Sequence, residues 1–376
     1  MSNPLFRLRQ LGQSVWYDDI TRSLVRDGGL KRLQEERDVV GVTTNPSIFE
    51  KAIGASDEYD EDLRRLSQAG ASPVDIFMDL ALDDVSRALD VLAQTYESTD
   101  HLDGRVSMEV LASLAHDAEG TEKMVRDIWK RVNKPNLMVK IPATDAGIPA
   151  IEKMLYEGHS INITLIFGLD YYRRVMEAYV NAIERRVAEG KPVEDIGSVA
   201  SFFVSRVDTK VDKMLDDLVA AGKLSANDAG GLKGRAAVAN ARLAYEAYLD
   251  VFHSDRFREL QKQGARVQRP LWASTGTKNP AYSDVLYIDE LVGPETVTTV
   301  PAKTLDAYAD HGKPADRIQQ GIEDARALMS QLQEVGIDMQ QVTDELIEEG
   351  VKTFADAFDK LLDTIKAKAG GVTASS

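Results

Sequence analysis

Eight short apolar runs alternate with helical stretches along this chain, and that alternation limits the fold more than any other feature. The runs are Val15–Ile20, Val39–Thr44, Val106–Leu111, Leu137–Ile141, Ser160–Phe167, Val199–Val204, Pro270–Ala273 and Thr296–Val300. They are rich in Val, Ile and Phe, as parallel strands buried on both faces should be. Between them, apolar residues recur three and four apart. Tyr172, Val175, Met176, Tyr179, Val180, Ile183 and Val187 do so within Asp170–Glu189, and Met124, Val125, Ile128 and Val132 within Thr121–Val132. Thr144 and Asp145 are N-cap candidates for the helix after the fourth run. Strands alternating with helices predict a parallel α/β fold. Eight strands close a TIM barrel, although periodicity alone does not separate that barrel from an open doubly wound sheet.

The chain has 376 residues, more than the ~250 of a typical barrel. The surplus falls in three places: an N-terminal helix near Pro4–Leu11, a helical stretch after the sixth strand over Asp208–Arg269, and a C-terminal helical layer over Asp310–Ala369. No Pro/Ser-rich linker bounds them, so one domain over residues 1–376 is expected, with 208–269 and 310–369 as helical decorations. The Gly/Ala/Ser tail Ala367–Ser376 is expected to fray. Two glycine clusters are decoys. In STGTK (Ser274–Lys278) Thr277, not Lys, follows the glycine, so it fails as a P-loop. GGLKG (Gly230–Gly234) has no strand before it and reads as a helix connection.

A net charge of −16 argues against nucleic acid or an anionic membrane as partner. An anionic ligand then needs positive groups that are local and few. The chain has no cysteine, which excludes disulfides and thiolate chemistry, and its five histidines are scattered, so no metal site is expected. The N-terminal segment lacks the apolar core of a signal peptide, and no apolar run approaches the ~20 residues of a membrane span. The cytoplasm is the expected location.

Polar residues recur in or just after different strands: Asp18, Thr43, Asn45, Glu109, Lys140, Asn162, Thr164, Ser201, Arg206 and Ser274. Each has a bland explanation. Lys140 can snorkel or pair with a carboxylate, Asn45 before Pro46 can shape a turn, Asp18 can cap a helix, and Arg206 can pair with Asp208. Their joint placement is harder to dismiss. In a parallel barrel the strand C-terminal ends meet on one face, and polar groups on apolar strands are costly unless they share a purpose. The chemistry such a set permits is specific. Burial of Lys140 among Leu137, Val139 and Ile141 disfavours its charged form. A neutral amine attacks a ketone and forms a Schiff base. The iminium is an electron sink that lets a neighbouring C–C bond break. Asp18 fits as the base for the hydroxyl proton, Glu109 as the acid–base partner for dehydration, and Arg206 as a bidentate grip on phosphate.

All of these residues except Asp18 and Glu109 sit in five segments that resemble those of the transaldolases. GVTTNPSIF (Gly41–Phe49), LMVKIPAT (Leu137–Thr144), INITLIF (Ile161–Phe167), SFFVSRVD (Ser201–Asp208) and WASTGTKNP (Trp272–Pro280) occur in the family's order, the last in the form of its longer bacterial branch. The resemblance runs from Val15 to about Leu305. It implies a (β/α)8 barrel with Lys140 as the Schiff-base former and Asp18 and Glu109 as acid–base residues. Thr164 would help hold the water between Glu109 and the lysine. Asn45, Asn162 and Ser201 would hold the dihydroxyacetone hydroxyls, with Thr43 in the same wall. Arg206 and Ser274 would meet the substrate phosphate. Gly276 stands where a commoner form of the family has a second arginine, which leaves Lys278 as the candidate replacement. Strand alternation allows only one of Asp18 and Asp19 to face the pocket, and Asp18 is chosen.

The implied reaction takes a dihydroxyacetone unit from sedoheptulose 7-phosphate to glyceraldehyde 3-phosphate, giving erythrose 4-phosphate and fructose 6-phosphate in the pentose phosphate pathway. No metal or organic cofactor is needed, because the lysine is the electron sink. The expected partners are sugar phosphates, and the expected state is a monomer or homodimer. One rival is a class I aldolase on the same scaffold, of the fructose-6-phosphate aldolase kind, which protonates the enamine and releases dihydroxyacetone. Phe203, two residues past Ser201, favours transfer by keeping the pocket apolar. The other rival is a non-catalytic sugar-phosphate-binding scaffold that uses the added helices as an interaction surface.

Overall fold

The computed structural model describes residues 3–373. Eight parallel strands pair in sequence order and close into a barrel. They are β1 Gln13–Tyr17, β2 Val39–Thr43, β3 Arg105–Glu109, β4 Leu137–Pro142, β5 Ile161–Ile166, β6 Ser198–Phe203, β7 Arg269–Ala273 and β8 Thr296–Val300. Closure is made by β1 against β8, in register from Gln13↔Thr296 to Tyr17↔Val300. The open-sheet alternative is thereby excluded. Every residue of every strand is buried, the double-sided burial expected of a sheet wrapped in helices.

Four strands begin earlier than the apolar runs predict. β1 starts at Gln13, β3 at Arg105, β6 at Ser198 and β7 at Arg269, all polar. These residues make the barrel floor. Arg269 pairs with Asp103 at 2.9 Å, and Ser14 Oγ and Trp16 Nε1 both donate to the same carboxylate. Arg105 donates to the His101 carbonyl and to Ser160 Oγ. Gln13 Nε2 donates to the Leu291 carbonyl and to Thr296 Oγ1. A buried charge is tolerated when it is paired and hydrogen-bonded, so these strands start with side chains that look like loop. Trp16 fills the space beside Gly41, where a β-carbon would lie 2.6 Å from the indole ring.

β1 also ends earlier than predicted, at Tyr17, so Asp18 emerges just past the strand. The helix after β4 spans Gly147–Glu157, and its formal cap is Ala146. Of the two cap candidates, Thr144 does the work: its Oγ1 accepts from the Gly147 N–H at 2.9 Å, whereas Asp145 turns to Arg174 at 2.8 Å. After β6 come four helices, Ser205–Ala220, Ala226–Leu232, Ala236–Phe252 and Asp255–Gln261. Gly230 and Gly231 belong to the second of these rather than to a connection. The chain closes with helices Ile322–Glu334 and Met339–Thr373. The tail expected to fray from Ala367 is helical through Thr373; its last residues, 374–376, lie outside those described. No helix among the described residues is long and apolar enough to cross a membrane.

Candidate active site

Lys140 occupies the centre of the strand-end face because the register puts it there. Its Cα pairs with Glu109 on β3 and with Asn162 on β5, and Pro142 pairs with Thr164. Partners across a ladder point to the same side, so these side chains converge inside the barrel mouth. The expectation that Leu137, Val139 and Ile141 surround the amine is corrected. Alternation turns those three to the other face of β4. Lys140 Nζ instead donates to the Thr44 carbonyl at 2.8 Å and meets Glu109 Oε2 at 3.2 Å. The lysine is 5% exposed and the glutamate 8%. Burial pushes the Glu109 carboxyl up, and the Lys140 amine only partly offsets this.

A cavity of about 200 Å³ opens above the amine. Asp18, Thr43, Asn45, Lys140, Thr164, Ser201, Phe203, Arg206 and Ser274 line it. Asp18 accepts from Thr43 Oγ1 at 2.7 Å, and Thr43 Oγ1 lies 2.5 Å from Thr299 Oγ1. With Thr43 donating to the carboxylate, Thr299 must donate to Thr43. Burial pushes the Asp18 carboxyl up; the Thr43 hydrogen bond and then the charges of Lys140 and Lys278 act the other way. Ser201 Oγ donates to Asn162 Oδ1 at 2.7 Å, and Asn162 Nδ2 donates to Ser107 Oγ at 3.0 Å. Asn45 Oδ1 accepts from the Ile48 N–H at 3.1 Å, capping helix Pro46–Ala55 and leaving its amide hydrogens for the cavity. Thr164 Oγ1 is buried with no hydrogen-bond partner among the described residues, so this hydroxyl facing the mouth is available to a water or a ligand.

Two residues near the cavity, one within β5 and one just past β7, are held in the left-handed region. Leu165 has φ 58° where β5 shifts register against β6, and Ser274 has φ 56° just after β7. Such backbone costs a non-glycine residue roughly 1–3 kcal/mol and persists where surrounding contacts enforce it. Ser274 is held by Ser205, through a 2.8 Å contact between hydroxyls and the Ser205 N–H to the Ser274 carbonyl at 3.2 Å. That places it beside Arg206, the second residue of helix Ser205–Ala220. Arg206 makes no hydrogen bond or ion pair with any described residue. Asp208, its imagined partner, instead accepts from the Ala237 N–H and the Tyr287 hydroxyl, each at 2.8 Å. The guanidinium lies between two rings, 5.6 Å from Phe203 and 6.0 Å from Phe354.

Lys278 stands apart. It is exposed in the loop after β7 and outside the cavity lining, near enough to Asp18 only for its charge to be felt. The sequence reading also misses Ser47, Ala273, Thr299 and Phe354, all of which line the cavity. Thr299, a polar residue on an apolar strand, carries the signal that flagged the others. Phe354 carries none, being one apolar residue in a long amphipathic helix. A larger cleft of about 500 Å³ on the barrel side holds Arg22, Arg65, Arg87 and Arg131 against Asp62, Asp79 and Asp83, and its charges pair with one another.

A sequence model described as transaldolase/fructose-6-phosphate aldolase matches residues 15–365. This chain belongs to that family. It is 47% identical over 371 residues to the transaldolase of Parafrankia sp. (strain EAN1pec), covering 98% of this chain and 99% of that one. It is 49% identical over 368 residues to the transaldolases of Mycobacterium bovis (strain BCG / Pasteur 1173P2) and Mycobacterium tuberculosis (strain ATCC 25618 / H37Rv), covering 97% of both chains in each case. The transaldolase/fructose-6-phosphate aldolase match takes in all strands from Val15 onward and most of helix Met339–Thr373, so it includes the helix that brings Phe354 to the cavity.

Proposed function

We propose that this chain is a transaldolase, moving a dihydroxyacetone unit from a ketose phosphate to an aldose phosphate through a Schiff base on Lys140. The observation that carries the reading is the buried amine at 3.2 Å from Glu109, in a cavity that also holds Asp18 and an unpaired Arg206. Glu109, in contact with the amine at 3.2 Å, is placed to take its proton so that the free amine attacks the ketose carbonyl. The same proton, on Glu109, then leaves with the carbinolamine hydroxyl as water. Thr164, unpartnered and facing the mouth, is suited to hold that water. With the iminium formed, Asp18 takes the C4 hydroxyl proton, the C3–C4 bond breaks, and its electrons pass to the iminium nitrogen. The aldose phosphate leaves, an acceptor aldose phosphate enters, and the steps reverse.

Asn45, Asn162 and Ser201 hold the dihydroxyacetone hydroxyls in this scheme, with Thr43 fixing Asp18. Arg206 and Ser274 take the phosphate. An unpaired cation at the amino end of a helix, in a chain of net charge −16, is what an anion site requires. Lys278 is a rim charge outside the cavity and is assigned no direct contact. The natural substrates are sedoheptulose 7-phosphate and glyceraldehyde 3-phosphate, in the cytoplasm. The matches to relatives named transaldolase support transfer over simple cleavage.

The test is a coupled assay of the purified protein, with erythrose 4-phosphate and free dihydroxyacetone measured side by side. Formation of erythrose 4-phosphate is expected. Release of dihydroxyacetone at the same rate, without an acceptor requirement, would instead make the protein an aldolase. A pH dependence follows from the site. Asp18 must be ionised to act as a base, and burial raises its carboxyl, so kcat/KM is expected to fall as pH drops while still above the ordinary carboxylate range of about 4. The Thr43 hydrogen bond favours the ionised form. Thr43→Val therefore moves the acid limb to higher pH; a limb that stays put or moves down contradicts the assignment of Asp18.

A further inference from the structure

Helix Met339–Thr373 lies against the barrel mouth by one face. Its buried residues Thr343, Ile347, Gly350, Phe354, Phe358 and Leu361 recur three and four apart. Two close approaches set its depth. A β-carbon on Gly168 would come within 2.6 Å of Thr343 Oγ1, and one on Gly350 within 2.9 Å of Leu165 Cδ2. Gly350 thus lets the helix down onto β5, and Phe354 follows one turn later on the same face. Its ring centroid is 6.0 Å from Lys140 Nζ and 6.0 Å from Arg206 Cζ. Behind it, Phe358 packs edge-on against Phe77 with centroids 5.3 Å apart. Lys210 ties the helix to Ser205–Ala220 through Glu345 at 2.7 Å and Glu349 at 2.6 Å. The ring is held from both sides, near both the nitrogen that forms the iminium and the cation assigned to phosphate.

We infer that Phe354 is a specificity-determining residue, which decides whether the enamine on Lys140 meets an aldehyde or water. The inference rests on the Schiff-base reading above. After C3–C4 cleavage, the electron pair of the broken bond lies in an enamine conjugated with the lysine nitrogen. In transfer, C3 attacks the acceptor aldehyde carbon, and the aldehyde oxygen takes the proton held by Asp18. In release, C3 takes a proton from water, the resulting hydroxide is neutralised by the Asp18 proton, and water hydrolyses the iminium to dihydroxyacetone and free lysine. Only the second path needs water at C3 before an acceptor arrives. An apolar ring closing the cavity near the amine keeps that water out, acting from the helix as Phe203 acts from the strand. This makes the C-terminal helix part of the site rather than only a covering layer.

The test uses the full chain with fructose 6-phosphate as donor, with and without erythrose 4-phosphate. Free dihydroxyacetone is measured against sedoheptulose 7-phosphate formed. Phe354→Ala is expected to raise the ratio of release to transfer about tenfold, and Phe354→Leu, which keeps apolar bulk, about twofold. Borohydride labelling of Lys140 in each protein separates the two levels of the argument. Variants that label but keep the wild-type ratio overturn the role of Phe354 and leave the Schiff base standing. Wild-type protein that does not label overturns both. Should Phe354→Ala not fold, Phe354→Leu decides alone: an unchanged ratio overturns the inference.

Discussion

Lys140→Met is expected to lower transfer by at least about 10⁴-fold, a loss of more than about 5 kcal/mol of transition-state stabilisation. Methionine matches the length of the lysine stem but has no nucleophile, so the covalent route closes while the packing stays. Borohydride with a ketose phosphate should leave a three-carbon adduct on Lys140 in the wild type and no adduct in the variant. Fold is expected to survive. Glu109 loses its cation, but burial already pushes its carboxyl up, so it can take a proton rather than remain as an unpaired buried charge. A variant that retains transfer would remove the basis for every role assigned here. In cells lacking transaldolase, the variant should fail to restore growth, whereas a sugar-phosphate-binding scaffold would still function.

Separating the two carboxyls gives the next largest effect. Asp18→Asn should lower transfer by about 10²–10⁴-fold, the usual worth of a positioned base. The iminium still forms, so borohydride should trap the whole six-carbon sugar phosphate on Lys140 rather than the three-carbon fragment. Glu109→Gln should cost a similar factor for a different reason. Carbinolamine dehydration loses its acid, so the trapped adduct itself accumulates slowly. The geometry behind this contrast is that Glu109 touches the amine at 3.2 Å, while Asp18 emerges after β1 and is fixed by Thr43 on β2, with no hydrogen bond to the amine. Mass analysis of the adducts decides it. Were Asp18→Asn to abolish trapping while Glu109→Gln left it untouched, the two assignments would have to be exchanged.

The fold was legible because a strand buried on both faces must be largely apolar: β2 and β4 are so through nearly their whole length, and β5, β6 and β8 keep Val, Ile or Phe between their Asn, Ser and Thr residues. It was illegible at Gln13, Arg105 and Arg269, where the barrel floor satisfies polar side chains with one another and the apolar signal disappears. The site followed similar lines. A polar residue at a strand end stands out, so Lys140, Glu109 and Thr164 could be picked before their pairing was known, and Thr299 could have been. What surrounds the lysine could not be read from its neighbours in sequence, because adjacent strand residues face opposite ways. Its true contacts, the Thr44 carbonyl and Glu109, come from the strands to one side. Phe354 was out of reach for another reason: that a helix over 200 residues beyond Lys140 returns to the mouth depends on Gly350 and Leu165 meeting, which no local pattern encodes. Lys278 is the opposite case, a position taken from a motif whose loop carries it outside the cavity lining, with its charge still felt at Asp18.

The seam between β1 and β8 joins Tyr17 to Val300, and it has a consequence for how the molecule is made. A ribosome adding about 5–20 residues per second needs roughly 15–55 s to pass from one strand to the other. Throughout that interval the emerging sheet carries two raw edges with free N–H and C=O groups, the kind of surface on which chains adhere to one another. Neither edge can be satisfied until β8 leaves the exit tunnel. Newly synthesised copies should therefore depend on holding chaperones in a way that the finished barrel, which has no edge at all, does not.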